Sequence, residues 1–237
     1  MKQLVSKRWV VMCAVVAGLV CTWIGLQAGA PCTSGMIFSI KKDLTGPGAF
    51  PEDGTNPLSL PYKFQQGLTN ASGLLDDIGG AACDGSGPVL SIASYVKTAA
   101  GLEDVYTGCA GPNFLLDMGK AYFVKVNTDF TYYIVGAHSP GCVIPLTGPG
   151  AFPEDGSNLY SHPFHGVSTV ASELVDEIGG PACDGSGPVL SIARYVKAVA
   201  GLEDVYTGCA GPNFGLQAGE GYYVKVNANV DFVPMHL

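Results

Sequence analysis

The chain has 237 residues, 47% of them apolar and 14% charged, with 33 Gly and 16 Pro. That balance suits one or two small globular domains and excludes a disordered or collagen-like chain. All 20 acidic residues follow residue 30, and only nine of the 12 basic ones do, so this part carries a net charge of −11, the wrong sign for holding nucleic-acid phosphates.

Lys2, Lys7 and Arg8 lead into an apolar run over residues 9–26 in which Thr22 is the one notably polar residue, and residues 27–30 bring it to bilayer length. The run exceeds the roughly 7–15 residues of a cleaved signal core. An A-x-A site exists at Ala28-Gly29-Ala30, but Pro31 follows it directly and its rigid ring fits a peptidase cleft badly. Val20 and Pro31 precede Cys21 and Cys32 where a lipobox needs a small residue. These features predict a cytoplasmic tail at 1–8, a retained transmembrane signal anchor at 9–30 in contact with membrane lipid, and a linker at 31–44. Basic residues on the N-terminal flank place everything beyond on the periplasmic or extracellular side.

An internal repeat dominates the remainder. Thr45-Gly-Pro-Gly-Ala-Phe-Pro-Glu-Asp-Gly54 recurs from Thr147, and residues 78–127 recur at 178–227 with ten differences among fifty positions. The repeat predicts two domains of one fold, 45–146 and 147–237, each large enough for its own core. Within each copy Ala71, Leu74, Leu75 and Ile78, matched by Ala171, Leu174, Val175 and Ile178, follow one helical face. Gly79-Gly80 and Gly179-Gly180 stop that helix; Asn70 or Thr69, and Ser168 or Thr169, can cap its start. Residues 89–96, 122–127 and 129–135 read as strands. Pro57, Pro61, Pro88 and Pro112 confine the sheet to short or edge strands. The fold class is therefore α+β: two duplicated small β-rich domains, each with one short helix, behind a membrane anchor.

Asn56-Pro-Leu-Ser-Leu-Pro61, a short helix ending in Gly-Gly, and then Leu116-Asp-Met-Gly-Lys-Ala-Tyr-Phe-Val-Lys-Val126 resemble a tandem module of bacterial secreted and surface proteins. Its marks are a strand of the type G-W-N-x-I-S-L-P and a closing L-x-P-G-K-G-Y-W-V-K-V. Thr55 and Ser157 stand where the module has its Trp, and Met118 and Ala218 where it has its second Pro. The resemblance implies an extracytoplasmic, non-catalytic accessory module appended to larger surface proteins, with no catalytic residues to carry over.

Cys13 and Cys21 lie inside the apolar segment. Among the other six, Cys83 and Cys109 recur as Cys183 and Cys209, so pairing within each copy is the simplest symmetric answer, leaving Cys32 and Cys142 to pair with each other. Each within-copy bridge closes 27 residues counted inclusively, worth about 3 kcal/mol on the loop-entropy estimate. Zinc ligation by the same four thiols is the competing reading, disfavoured by an oxidising compartment and the lack of a C-x-x-C spacing.

No catalytic constellation emerges. Asp84-Gly-Ser-Gly-Pro88 has the letters of a trypsin-like nucleophile loop in the wrong order, and residues 45–127 contain no His to serve Ser86 as base. His162-Pro-Phe-His165 would, on a strand, point its imidazoles to opposite faces, so the two do not converge on one ion, and a metal site would need His138 or His236 as a third ligand. The acidic turns at Glu52-Asp53, Glu154-Asp155, Asp84 and Asp184 lack EF-hand spacing, and Asp-Gly is first a turn signal. Glu103-Asp104 and Glu203-Asp204 read as a solvated face. The aromatics at 106, 114, 122, 123, 132 and 133 and their second-copy counterparts serve the core or an exposed binding platform.

The expectation is thus a non-enzymatic accessory or structural subunit without cofactor or metal, docking on an integral membrane protein complex of the respiratory or photosynthetic kind. A surface module for glycan or calcium is the alternative. The copies differ most over residues 55–77 against 157–177, so Leu58, Leu60 and Lys63 and, in the second copy, Tyr160, His162 and His165 are the predicted partner-binding residues.

Overall fold

The computed structural model describes residues 37–60, 63–64, 68–80, 86–96, 103–137, 141–151, 153–180, 186–196 and 203–235. The expected membrane helix and Cys32, Cys83 and Cys183 lie outside them. Among the described residues no helix is long and apolar enough to cross a membrane.

The first repeat runs β1 (Ile37–Leu44), β2 (Thr55–Ser59), β3 (Lys63–Phe64), α1 (Ala71–Ile78), β4 (Val89–Tyr95), β5 (Glu103–Tyr106), β6 (Ala121–Val126) and β7 (Phe130–Ala137). The second runs β8 (Ile144–Leu146), β9 (Ser157–Ser161), α2 (Ala171–Ile178), β10 (Val189–Tyr195), β11 (Glu203–Tyr206), β12 (Gly221–Val226) and β13 (Val230–Phe232). Each repeat contains the same antiparallel four-stranded sheet, β2-β6-β4-β5 and β9-β12-β10-β11, beside a smaller sheet, β1-β7-β3 or β8-β13. Pro57 sits in β2, at an edge, where its missing N–H leaves no ladder bond unmade. The β-rich α+β architecture with one short helix per repeat is as expected.

Two boundaries move. Residues 37–44, expected as linker, form β1 and pair with β7 along their whole length. Residues 144–146, expected to close the first domain, form β8 and pair with β13 of the second. Period-2 burial in β1 is partly hidden in the sequence because Lys42 points inward between Ile40 and Leu44. Its ammonium is paired with Glu220 of the other repeat.

The pleat divides β6 between two cores. Tyr122, Val124 and Val126 join α1, Val89 and Ile92 in the first repeat's core, while Ala121 and Phe123 face the other way. In β12 Tyr222, Val224 and Val226 pack under α2, and Tyr223 faces outward. The outward faces of the two sheets meet, so Ala93, Ala121, Phe123 and Leu159 form a third buried cluster shared by both repeats, edged by Tyr95, Tyr195 and Tyr223. Each sheet is therefore covered on one side by its own helix and on the other by the second copy.

That meeting has the pattern of a two-fold axis. Ser59 donates its N–H to the Gly219 carbonyl at 3.0 Å, and Ser161 its N–H to the Gly119 carbonyl at 2.9 Å. The two serine hydroxyls bond to each other across the axis. Tyr95 meets Tyr223 edge-on at 5.6 Å, and Tyr195 meets Phe123 edge-on at 5.7 Å. In the same junction Ala121 of one copy faces Gly221 of the other, where an added Cβ would stand 2.5 Å from that of Ala121. One of the two equivalent positions has to be glycine.

Candidate functional site

The loop shared by both copies is pinned rather than loose. Asn56 accepts from the Thr45 N–H at 2.9 Å and donates to the carbonyls of Thr45 and Gly54; Asn158 does the same for Thr147 and Gly156. Asp53 pairs with Lys125 at 2.8 Å and Asp155 with Lys225 at 2.9 Å. Burial raises both carboxyls, but the lysines and the neighbouring Thr55 and Ser157 outweigh it and hold them below the usual carboxylate range. Asp53 and Asp155 are thus committed to internal ion pairs, and each of these loops swings its remaining acid, Glu52 or Glu154, over the opposite repeat; the turns at Asp84 and Asp184 lie outside the described residues.

Two related grooves lie at the junction. The first repeat's groove, about 800 Å³, is lined from β4, β5 and the segment before β6, with β8 and Glu154 closing the far side. The second repeat's counterpart, about 360 Å³, uses Arg194, Gln217, Glu220 and Tyr222, with Glu52 on its far side. In the second groove Arg194 lies over the Phe214 ring, 5.2 Å from its centroid, and binds Asp204 through Nε at 2.9 Å and through its terminal nitrogen at 2.7 Å. Phe214 is 6% exposed beneath it. In the first groove the corresponding residue is Ser94; Phe114 is only half-buried, and Asp104 makes no ion pair among the described residues. The frames match: Ser94 pairs with Asp104 across β4 and β5 as Arg194 pairs with Asp204 across β10 and β11. Phe114 stacks on Tyr122 at 5.8 Å and Phe214 on Tyr222 at 6.0 Å.

The sequence pointed elsewhere. Leu58, Leu60, Tyr160 and His162 are all buried, the last two 1% and 5% exposed, so these diverged residues fit the copies to their own interior and to each other, Tyr160 also standing in the wall of the first repeat's groove, while His165 is half-buried. The side chain of Lys63 lies outside the described residues. His162 and His165 stand beyond the end of β9, not on it as expected. His162 faces the rings of Tyr160 and Tyr222, whereas His165 lies against Phe38 at 4.0 Å, so the two imidazoles have separate surroundings. Burial pulls the His162 pKa down to about 4, a hydrogen bond to the Ser168 backbone offsetting part of the effect.

Cys109 and Cys209 are disulfide-bonded, in the turns that follow β5 and β11; their expected partners, Cys83 and Cys183, lie outside the described residues. Cys142 is a correction. It is a free, buried thiol with its Sγ 3.6 Å from the Met118 sulfur, not the partner of Cys32, and burial raises its pKa.

The grooves were visible in the sequence in one way only. Of the ten differences between residues 78–127 and 178–227, five line them: Ser94/Arg194, Leu115/Gly215, Asp117/Gln217, Lys120/Glu220 and Ala121/Gly221. Compared with family models, with curated proteins and with solved structures, the chain matches none of them.

Proposed function

We propose that the chain is a non-enzymatic accessory protein, held at the membrane by its N-terminal apolar segment, whose paired repeats dock outside the cytoplasm on a larger membrane protein complex. The observation that carries this reading is the pair of junction grooves, which share one backbone frame and differ in the side chains that line them. Within the closely matched stretch 78–127 against 178–227, five of the ten changes fall on this concave surface, as two distinct contacts require. The apolar run over residues 9–26, with basic residues before it, supports retention as an anchor. The resemblance of the closing strand and its Gly-Lys turn to an accessory module of bacterial surface proteins points the same way.

Extraction of native membranes with mild detergent, followed by affinity purification of the tagged full-length chain, tests it. Integral membrane proteins are expected to co-purify in stoichiometric amounts. Recovery of a free monomer that instead binds polysaccharide would overturn the docking reading in favour of a glycan module.

A further inference from the structure

The second repeat carries its own occupant. Arg194 spans from the face of Phe214 to the carboxylate of Asp204, which combines a cation over an aromatic ring with a two-nitrogen contact to one acid. In the first repeat the ring and the acid are retained as Phe114 and Asp104, in the same strand register and with the same stacking on the tyrosine behind. The cation over the ring is gone, replaced by Ser94, and the groove there is correspondingly open. Phe114 has lost the cover that keeps Phe214 buried.

We propose that the open groove of the first repeat is a guanidinium site: it takes an arginine side chain of a partner protein, laid over Phe114 and paired with Asp104 as Arg194 is laid over Phe214 and paired with Asp204. The chemistry selects arginine over lysine. A planar guanidinium stacks on a ring while two of its nitrogens donate to a carboxylate oxygen, as Nε and Nη2 of Arg194 do to Oδ2 of Asp204, whereas an ammonium is a compact, strongly hydrated point charge. The surroundings favour a cation as well. Glu154 and Asp117 also line the groove, the latter partly neutralised by Lys120 at 2.6 Å, and the chain beyond residue 30 carries a net charge of −11. The closed second groove then presents a filled, self-satisfied surface, so the two copies offer different contacts.

This inference deepens the docking reading and rests on it for the partner's identity as a protein, but the site is measured without any partner. Full-length chain in a non-ionic detergent is titrated calorimetrically, at low ionic strength, with the blocked tripeptide acetyl-Gly-Arg-Gly-amide and with its lysine analogue. The wild type is expected to bind one equivalent of the arginine peptide, several-fold more tightly than the lysine peptide, and to lose affinity as salt rises. Ser94→Arg installs what the second repeat already holds, so it should keep or raise the melting temperature while weakening peptide binding at least tenfold. Arg194→Ser opens the second groove and should raise the stoichiometry to two. Absence of binding by the wild type, equal binding by Ser94→Arg, or a stoichiometry that stays at one in Arg194→Ser would each overturn the site. Co-purification of membrane proteins by a chain that binds no peptide would overturn the guanidinium site and leave docking standing. Peptide binding by a chain that purifies alone would do the reverse.

Discussion

His162 occupies the place that Leu60 fills in the first repeat, and the exchange of a hydrocarbon for an imidazole has a consequence that can be measured. Among the described residues its Nδ1 has no hydrogen-bond partner, and burial pulls its pKa from 6.5 to about 4. A histidine with a depressed folded pKa binds fewer protons folded than unfolded. Its effect is absent above pH 6.5, grows into a loss of stability as the pH falls from 6.5 towards 4, and levels off below 4. The full displacement corresponds to about 3 kcal/mol. Asp53 and Asp155, held below the usual carboxylate range, act only at lower pH and leave the interval from 6.5 to 4.5, where His162 acts, undisturbed. His162→Leu is expected to flatten the fall in melting temperature across that interval. Equal slopes for wild type and variant in parallel thermal melts would show that the imidazole is hydrated in solution.

The two helices are nearly the same element built with different ends. Asn70 caps α1, its side chain accepting from the Gly73 N–H at 3.0 Å; at the same position α2 has Val170, which offers no side-chain acceptor. Glu173 reaches back to the Thr169 N–H and hydroxyl, half of a capping box, and so satisfies a donor just outside the helix without replacing the missing cap. Val170→Asn is therefore expected to stabilise the protein by about 0.5–1 kcal/mol, read as a higher urea midpoint, and Asn70→Ala to destabilise it by about 1 kcal/mol. A fall in midpoint for Val170→Asn would mean that Glu173 already does the work of the cap. The apolar faces of both helices were legible because Ala71, Leu74, Leu75 and Ile78 repeat at helical spacing, as do their counterparts. The second cap was not legible, since Ser168 and Thr169 are the good capping residues and valine a poor one. Strands β4, β6 and β7 could be read from their β-branched and aromatic runs. Strand β1 could not, because its inward lysine is satisfied by an acid 178 residues away.

At the scale of the molecule the duplication was plain in the sequence, and what it assembled was not. Repeats large enough for separate cores suggest independent domains, and each copy does have a core of its own. The clue to their union lay in Ala121-Tyr-Phe-Val-Lys-Val126, a strand whose two faces are both largely apolar, which one helix cannot cover. Its second face is closed by the other repeat through Phe123, Ala93 and Leu159, with the paired serines alongside. Contacts so central should couple the stability of the copies. Phe123→Ala, at a side chain 2% exposed, removes most of the shared cluster's largest residue at an expected cost of about 3–4 kcal/mol. The cost should not stay in the first repeat. Hydrogen exchange of amides in α2 and β12, none of them on the substituted strand, is expected to lose protection together with that of α1 and β6, because opening either copy strips cover from the sheet of the other. Should protection fall in the first repeat while α2 and β12 exchange as in the wild type, the copies would be two domains in contact rather than one cooperative body.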